Sequence, residues 1–582
     1  MRQFVKFLTA SCLGTMMALG LILFFFMLIG LASAPKESIP SDAVLHLKLD
    51  QQVPELTNNV EQSPYTFESA EVIGLNDYTR LLRKAAGDSK IKGLVIQTEN
   101  TYLAPAMALR FAELIEEFKA SGKFVEAYGK YFTQSGYAIA SVADTVHLNP
   151  NGLIDLRGYG MVIPYFKEFS EKSGIDFDVY FAGKYKSAIE PFYLSEVSDA
   201  NRLQTQEYLG AFQDAMVNHI AEVRDLGVST VDEIFVEGLS QNADDAISLD
   251  LVDELIYWDD FEEKLKSKYD LAKIRLQSIE KYYQASPALP STGQDRIAVV
   301  YAEGEIAHSG KLKGTVNMEV YEDILDRIKS NKRVKSVVLR VNSPGGSSLT
   351  SDLFWKKIQE IQEAGKVVVA SFGNYAASGG YYIACGADYI VSEPLCLTGS
   401  VGVFSMIPDM SQFFEEKLGI HWDTIGTGKH TFMYSTYVDR SDQDNQKIMS
   451  DTERTYTRFK SKISEGRNLS MEEVEDIAQG RVWTGIDGSG NGLVDTLGNL
   501  DDAIQIAANL SDIEDYKLLE YPRIKKTFYE ELIGEIMRSG MAMQTNVQTP
   551  SRLTQEVNKL LSFIEESSHG PQARMPFLVP SF

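Results

Sequence analysis

The chain has 582 residues, a length that predicts about four domains at roughly 150 residues per domain. The mix of 44% hydrophobic and 24% charged residues is typical of a globular protein and argues against collagen, coiled-coil and disordered classes. A formal net charge of -25 argues against nucleic-acid binding, because an acidic surface repels the phosphate backbone.

The first segment, residues 1–35, has the pattern of a transmembrane anchor. No charged residue lies between Lys6 and Lys36, and about 20 apolar residues are enough to cross a bilayer as a helix. Arg2 and Lys6 precede the apolar run, which favours a cytoplasmic N-terminus with the rest of the chain on the outer side. A cleaved signal peptide is the alternative, since residues 32–34 (ASA) resemble a cleavage site. We expect a retained anchor because the apolar run is longer than the core of a usual signal peptide.

The rest of the chain contains an internal repeat. Residues 129–158 and 373–402 align without gaps, and further matching blocks follow in the same order on both sides. We therefore predict two copies of one fold, over residues 43–285 and 294–540, in place of four unrelated domains. A tail over residues 541–582 follows, with helical periodicity in its middle and no evident role.

Both copies alternate short apolar runs with longer amphipathic segments. The apolar runs suit buried strands, and the longer segments have apolar residues at helical spacing and end near Gly. Strand, helix and strand in alternation predict an α/β fold with largely parallel sheets and right-handed crossovers. The segments concerned are KGLVIQT, AMALRFAELIEEFKASGK and KFVEAYG in the first copy, and KSVVLRVN, LTSDLFWKKIQEIQEAGK and KVVVASFG in the second.

Two motifs of the second copy could support chemistry. NSPGG at 342–346 follows a predicted strand, and a tight loop of this composition can expose backbone N–H groups to an oxyanion. Its alternative is a plain turn between a strand and a helix. Ser378 lies among small residues at the predicted start of a helix, where a substrate backbone can approach and the helix dipole favours an oxyanion. Its alternative is an ordinary helix N-cap.

These motifs together resemble the signal peptide peptidase A family, also called protease IV, of the Clp and crotonase superfold. The long, membrane-anchored branch with two repeats fits nearly the whole chain. The resemblance implies two tandem Clp/crotonase-like domains after one transmembrane helix, and a serine endopeptidase with a Ser/Lys dyad. The matching residues are NSPGG at 342–346, AASGGYYIA at 376–384, LTGSVGVF at 397–404, YKSAIEPF at 185–192, GRVWTG at 480–485 and GLVD at 492–495.

The resemblance also implies a role for each site residue. Ser378 occupies the position of the nucleophile and Lys186 that of the general base. Ser400 would orient the lysine, while Gly346 and Gly379 would supply the oxyanion N–H groups. A lysine can act as a base only when neutral, so its pKa must fall from about 10.4, and burial can lower it by several units.

Lys184 is an alternative base, two residues before Lys186. The SAIEPF stretch that follows Lys186 favours Lys186 by family pattern, and the repeat alignment places Thr431 opposite it in the second copy. A carboxylate beside the base would raise its pKa, so we expect the side chain of Glu190 to point elsewhere.

The nucleophile shows the opposite asymmetry between the copies. Ser378 falls opposite Gln134, and NSPGG falls opposite a stretch near residues 100–102 that lacks the motif. The neighbouring Ser135 is a slipped alternative, but no oxyanion loop precedes it. Each copy is therefore expected to hold half of the active site, and the halves must meet within one chain or between subunits.

The family further implies a homo-oligomer, which we expect to be a homotetramer, with an enclosed apolar interior facing the membrane. Its expected substrates are signal peptide remnants, cut next to apolar or small residues. We expect a single-pass protein of the bacterial inner membrane with its main body in the periplasm. No cofactor or metal is expected, because the sequence has no CxxC pair and no GxxxxGK[ST] loop.

Two other functions remain open at this stage. A crotonase-like acyl-transfer enzyme would use the oxyanion loops with carboxylates, and a non-catalytic membrane scaffold would keep only the fold. Cys385 and Cys396 are expected to be small core residues, with a disulfide between them as the alternative. His430 lies near the second-copy equivalent of the lysine segment and is expected to be structural.

Overall fold

The computed structural model describes residues 39–60, 71–240, 242–286, 293–310, 313–524 and 572–575, together with residues 14, 15, 17 and 18. The predicted anchor lies outside the described residues apart from those last four, and the predicted tail lies outside them apart from residues 572–575. Across the described ranges, no helix is long and apolar enough to span a bilayer.

The first half of the chain forms a six-stranded sheet, sheet 1, with helices on its faces. Its elements are β1 (Ala43–Lys48), α1 (Leu75–Gly87), β2 (Ile91–Gln97), α2 (Pro105–Lys119), β3 (Phe124–Phe132), α3 (Gln134–Ala140), β4 (Thr145–Ile154), α4 (Lys167–Ser173), β5 (Asp176–Ala182), a 3-10 turn (Ser187–Ile189), α5 (Glu190–Tyr193), α6 (Asp199–Val223), α7 (Val228–Glu237), α8 (Ala243–Ser248), β6 (Glu254–Leu255), α9 (Trp258–Lys268), β7 (Leu276–Ser278) and α10 (Ile279–Ala285). Sheet 1 has the order β6-β4-β3-β2-β1-β7, and all of its pairings are parallel.

The second half builds the same kind of layer around sheet 3. Its elements are β8 (Asp295–Glu303), β9 (Glu305–Ile306), β10 (Thr315–Val316), α11 (Met318–Ser330), β11 (Val334–Ser343), β12 (Gly345–Ser347), α12 (Ser348–Glu363), β13 (Val367–Ala377), α13 (Gly379–Tyr382), β14 (Tyr389–Ser392), β15 (Leu397–Gly399), β16 (Val403–Asp409), a π-helical turn (Phe413–Lys417), α14 (Asp442–Arg467), α15 (Met471–Ile477), β17 (Val482–Thr484), α16 (Gly485–Gly490), β18 (Thr496–Leu497), α17 (Leu500–Leu510), β19 (Tyr516–Tyr521) and β20 (Gln572–Arg574). Sheet 3 runs β17-β15-β13-β11-β8-β19, with β14 joining β13 to β18.

The two halves share their strand order and individual contacts. The order β7-β1-β2-β3-β4-β6 recurs as β19-β8-β11-β13-β14-β18. The hydroxyl of Tyr137 donates to the carbonyl of Leu251 at 2.6 Å, and Tyr381 donates to Leu493 at 2.9 Å in the second half. The β1–β2 and β8–β11 ladders also shift register at the same point, after the first residue pair. These features agree with the internal repeat in the sequence.

The α/β architecture with largely parallel sheets is confirmed. The apolar runs form β2, β3, β11 and β13, and the two amphipathic segments form α2 and α12. The centre of β11 is buried on both faces, with Val337, Val338 and Leu339 all at 0% exposure. Such burial is typical of parallel strands covered by helices on both sides, which explains their continuous apolar sequence.

A third sheet, sheet 2, joins the two halves. It has the order β10-β9-β12-β20-β16-β5, so strand β5 of the first half lies beside strand β16 of the second. Their antiparallel ladder runs from the pair Val403 and Ala182 to the pair Asp409 and Asp176. The segment that contains Lys186 follows β5 directly in the chain. The pairing of β5 with β16 therefore places this segment against the second half.

Candidate active site

Lys186 and Ser378 meet in a buried site between the two halves. Lys186 Nζ lies 2.8 Å from Ser378 Oγ, although the two residues are 192 positions apart in the chain. Lys186 is 2% exposed and Ser378 is 0% exposed. The two half-sites expected from the repeat are therefore brought together within one chain.

The backbone of Ser378 is held in a conformation that is rare for a residue with a side chain. Its φ is 55° and its ψ is -114°, immediately before helix α13. Its N–H donates to the carbonyl of Gly399 at 2.7 Å, which ties this strained residue to the end of β15. Among the described residues its side chain makes no capping hydrogen bond, so Ser378 does not serve as an ordinary N-cap. Strain of this kind persists only where surrounding structure enforces it, and it is common at functional sites.

Ser400 provides two hydrogen-bond acceptors for the amine of Lys186. Lys186 Nζ lies 3.2 Å from the Ser400 carbonyl oxygen and 3.2 Å from Ser400 Oγ. A neutral amine has two N–H groups and one lone pair, and the carbonyl can only accept. With both N–H groups donated to Ser400, the lone pair is left for the hydroxyl of Ser378. In the neutral form the lone pair therefore accepts the hydroxyl of Ser378, whereas an ammonium would donate to all three oxygens.

Burial lowers the pKa of Lys186 well below its ordinary value of 10.5. Desolvation is the cause, since it penalises the charged ammonium, and no carboxylate of the described chain opposes it. Glu190 is occupied elsewhere, because its carboxylate accepts hydrogen bonds from Ser198 Oγ at 2.5 Å and Asn201 Nδ2 at 2.9 Å. The site thus favours the form of lysine that can take a proton.

The alternative residues weighed from the sequence lie apart from this site. Lys184 is exposed, and its Nζ lies over the ring of Tyr185 at 4.8 Å from the ring centroid. Ser135 donates its hydroxyl to the carbonyl of Thr101 at 2.7 Å, which is a structural role in the first half. The structure therefore brings Lys186 and not Lys184 to Ser378.

Gly346 and Gly379 lie close together next to Ser378. Gly346 has a φ of 148°, and a Cβ at this position would overlap the carbonyl of Ile306. A Cβ at Gly379 would lie 3.1 Å from the N atom of Gly346 and 2.7 Å from Ser351 Oγ. The N atom of Gly346 therefore lies close to Gly379, the residue that follows Ser378 in the chain.

Two further residues hold the lysine segment, and neither was assigned a role from the sequence. Gln204 on α6 donates to the carbonyl of Tyr185 and to Ser187 Oγ, at 3.1 Å each, and accepts from the N–H of Val482 at 3.1 Å. Gly480 lies against the backbone of Lys186. The only sequence feature that marks Gly480 is its place as the first residue of the GRVWTG motif. No sequence motif marks Gln204, because its contacts form only in the folded chain.

Three other residues singled out from the sequence, Cys385, Cys396 and His430, were expected to be structural. Cys385 and Cys396 are buried and free, so the alternative of a disulfide between them is not seen. His430 Nδ1 lies 2.6 Å from Asp444 Oδ1 at the start of α14.

Comparison with known proteins gives the family. A sequence model of peptidase family S49 matches this chain twice, over residues 117–272 and 360–514. The chain is 31% identical to Protease 4 of Salmonella typhi, over 86% of this chain and 83% of that protein. It is also 31% identical to Protease 4 of Haemophilus influenzae, over 84% of this chain and 83% of that protein.

Less similar proteins include a plant protease and a solved structure. The chain is 28% identical to the chloroplastic serine protease SPPA of Arabidopsis thaliana, over 74% of this chain and 64% of that protein. Among solved structures, a ClpP1 mutant from Listeria monocytogenes matches with 16% identity and a TM-score of 0.23, over 35% of this chain and 94% of that one. From the double match and the extended identity, the chain belongs to peptidase family S49 and is a serine peptidase.

Proposed function

We propose that this chain is a membrane-anchored serine endopeptidase with a Ser378/Lys186 dyad, which degrades cleaved signal peptides and other apolar peptides. The observation that carries the proposal is the 2.8 Å contact between Ser378 Oγ and a buried lysine amine. A serine hydroxyl is a weak nucleophile and needs an adjacent base. A lysine whose pKa is lowered by burial meets that need without a histidine.

In the proposed reaction, Ser378 Oγ attacks the carbonyl carbon of a peptide bond while its proton passes to Lys186 Nζ. The resulting oxyanion accepts hydrogen bonds from the N–H groups of Gly346 and Gly379. The protonated lysine then gives its proton to the leaving amine, and an ester to Ser378 remains. Water, deprotonated by the neutral lysine, attacks this ester and restores the hydroxyl of Ser378.

Ser400 is the positioning residue of this dyad. Its carbonyl and hydroxyl oxygens take the two N–H groups of the neutral amine, which fixes the direction of the lone pair. Neither oxygen carries a negative charge, so neither stabilises the ammonium as a carboxylate would.

The surroundings of the site support apolar peptides as substrates. A buried apolar cluster adjoins Ser378 through Ala377 and draws on both halves of the chain. It includes Tyr208 and Phe212 on α6 and Leu397 and Val482 of the second half. Peptides left in a membrane after secretory processing are rich in the side chains that such a cluster would receive.

The proposal includes the cellular setting. An anchor over residues 1–35 would hold the peptidase on the periplasmic face of the bacterial inner membrane, close to spent signal peptides. A homotetramer would enclose the active sites and exclude folded proteins. Light scattering of the detergent-solubilised full chain would test the assembly, and a monomeric mass would contradict it.

Labelling with a fluorophosphonate tests the chemistry. We expect the probe to form an adduct on Ser378 in the full chain, and hydrolysis of a synthetic signal peptide to stop in proportion to labelling. The Ser378→Ala variant should take up no probe. Peptide hydrolysis that persists in this variant would overturn the proposal. An unlabelled Ser378 with acyl-CoA turnover would point to the acyl-transfer alternative, and neither activity would point to a scaffold.

A further inference from the structure

The side chain of Arg481 lies on the ring of Tyr185, the residue before Lys186. Its Cζ atom is 5.3 Å from the centroid of the Tyr185 ring and 4.1 Å from that of the Trp483 ring. Tyr185 is 9% exposed, so the guanidinium covers a ring that is largely removed from water. A guanidinium is planar and stacks on aromatic faces, which an ammonium does not do. The contact therefore connects the loop of the base, in the first half, to the start of β17 in the second.

The backbone of Arg481 holds Ser400. Its carbonyl accepts the N–H of Ser400 at 2.6 Å, just beyond the last pair of the β15–β17 ladder, in which Gly399 lies opposite Val482. Ser400 has a φ of 48°, which is uncommon for a residue with a side chain, so this hydrogen bond supports a strained backbone. Because both oxygens of Ser400 contact Lys186 Nζ, the position of Arg481 also affects the acceptors of the amine.

The polar contacts of the Arg481 guanidinium are weaker than its contacts with the rings. Nη2 lies 2.6 Å from Oε2 of Glu207 on α6, whose side chain is 48% exposed. Nε is buried and makes no hydrogen bond within the described part of the chain. An ion pair with an exposed carboxylate contributes little, whereas a cation over an aromatic face contributes more when water is excluded. We therefore expect the rings of Tyr185 and Trp483 to hold this guanidinium more firmly than Glu207 does.

A second cation lies on the ring of Tyr185 but cannot join the two halves. Lys184 Nζ is 4.8 Å from the ring centroid, and Lys184 is exposed and belongs to the same loop as Tyr185. Arg481 belongs to the second half. The N–H of Tyr185 also donates to the carbonyl of Gln479 at 2.8 Å, two residues before Arg481. One short segment of the second half thus holds both the ring and the backbone of Tyr185.

We propose that Arg481 is a positioning residue of the dyad, which holds the loop of Tyr185 and Lys186 against the segment of Ser400. The inference rests on the Ser378/Lys186 dyad proposed above, and it adds a residue that acts through its neighbours and not on the substrate. Arg481 has two routes to the base, its side chain on Tyr185 and its carbonyl on Ser400. A substitution of the side chain changes the first route directly.

The Arg481→Lys variant tests the stack on Tyr185. It keeps the positive charge near Glu207 but loses the planar group over the ring. We expect kcat for a synthetic signal peptide to fall by about 10²-fold, as a misplacement of about 1 Å can produce, with KM nearly unchanged. Glu207→Gln removes the ion pair and keeps the stack, so its kcat should stay within about fivefold of the wild type, the size of an exposed ion pair. Lys184→Ala, which removes the other cation from this ring, should match the wild type.

The pH profile distinguishes positioning of the base from a loss of folded enzyme. A loosened loop admits water to Lys186, and weaker desolvation raises its pKa towards 10.5. The plateau in the rate of fluorophosphonate labelling at Ser378 should therefore begin at a higher pH in Arg481→Lys than in the wild type. A loss of folded protein would reduce the amount of labelled chain without moving the start of the plateau.

A double-mutant cycle tests whether Arg481 acts through Tyr185. Tyr185→Leu removes the ring and should also slow hydrolysis, whereas Tyr185→Phe keeps the ring and should recover most of the activity lost in Tyr185→Leu. The chain with both Arg481→Lys and Tyr185→Leu should be no slower than the slower single variant, because both substitutions break one contact. Melting temperatures identify the folded variants. If Arg481→Lys does not fold, the two Tyr185 variants test the same contact from the other side.

The outcomes separate this inference from the dyad itself. Wild-type kinetics in Arg481→Lys, a plateau that begins at the wild-type pH, or additive effects in the double variant would each overturn the inference and leave the dyad intact. A Glu207→Gln variant as slow as Arg481→Lys would assign the effect to the ion pair and overturn the role of the stack. A wild-type chain in which Ser378 takes up no probe would overturn the dyad, and the role of Arg481 with it.

Discussion

Gly480 packs directly against the backbone of Lys186. A Cβ at position 480 would lie 2.7 Å from Lys186 N and 2.8 Å from Lys186 Cα, and Gly480 has a φ of 78° that disfavours a side chain. The N–H of Gly480 donates to the carbonyl of Val401 at 2.7 Å, next to Ser400. This contact links the GRVWTG motif to the position of the base, although the motif contains no catalytic group.

The Gly480→Ala substitution should therefore displace Lys186 relative to Ser378. We expect kcat for peptide hydrolysis to fall by about 10²-fold, since a misplacement of about 1 Å can have an effect of this size. The control is Gly490→Ala, because a Cβ at Gly490 meets nothing within 4 Å. Equal kcat values for the two variants would show that Gly480 does not position the base.

The two neighbouring lysines allow a matched test of the base. Lys186→Ala should reduce kcat by about 10³-fold, within the range of about 10² to 10⁴ for loss of general acid–base catalysis. Lys184→Ala should leave kcat unchanged, because its amine lies over Tyr185 in the exposed part of the loop. Measured rates in the opposite order would assign the base to Lys184.

The low pKa of Lys186 predicts the pH dependence of acylation. The neutral amine is the active form, so the rate should rise with pH up to the pKa of Lys186 and stay constant above it. Because burial lowers this pKa well below 10.5, the plateau should begin well before that pH. The rate of fluorophosphonate labelling at Ser378, followed across pH, measures it. A rate that still rises near pH 10.5 would mean that the lysine titrates as an exposed one does.

The strands and helices of each half could be predicted from the sequence, because the spacing of apolar residues that marks them lies within each element. The runs in β11 and α12 repeat at strand and helix spacing, and family motifs marked Ser378 and Lys186. The contact between β5 and β16 had no such signal, since it is decided by tertiary packing between distant segments.

The same limit applies to the loop before α12. The composition of NSPGG is typical of a turn, but Gly345–Ser347 forms strand β12 because Gln572–Arg574 pairs with it. A partner more than two hundred positions away cannot be identified from the composition of the loop itself. Gln204 was missed for a related reason, because its bonds to Tyr185 and Val482 exist only after the halves have met.

A buried cluster of Glu55, Glu303 and Arg340 connects the first half of the chain to the second half. Arg340 holds Glu55 by two hydrogen bonds of 3.0 Å each, from Nε and Nη2. Glu303 lies beside them, where it accepts from the Glu55 N–H at 2.6 Å and from Asn59 Nδ2 at 2.7 Å. Desolvation, followed by repulsion from Glu55, raises the pKa of Glu303 from 4.5 to about 8.

This raised pKa predicts that Glu303 destabilises the fold as the pH rises. Between pH 4.5 and about 8 the unfolded chain loses the Glu303 proton while the folded chain keeps it, so the free energy of unfolding falls as pH increases. One such group changes that free energy by at most about 1.4 kcal/mol per pH unit. In Glu303→Gln this contribution is absent, so unfolding monitored by calorimetry should depend less on pH between about pH 5 and 8. Glu116→Gln, at an exposed position on α2, should keep the wild-type slope, and a Glu303→Gln slope parallel to the wild type would refute the assignment.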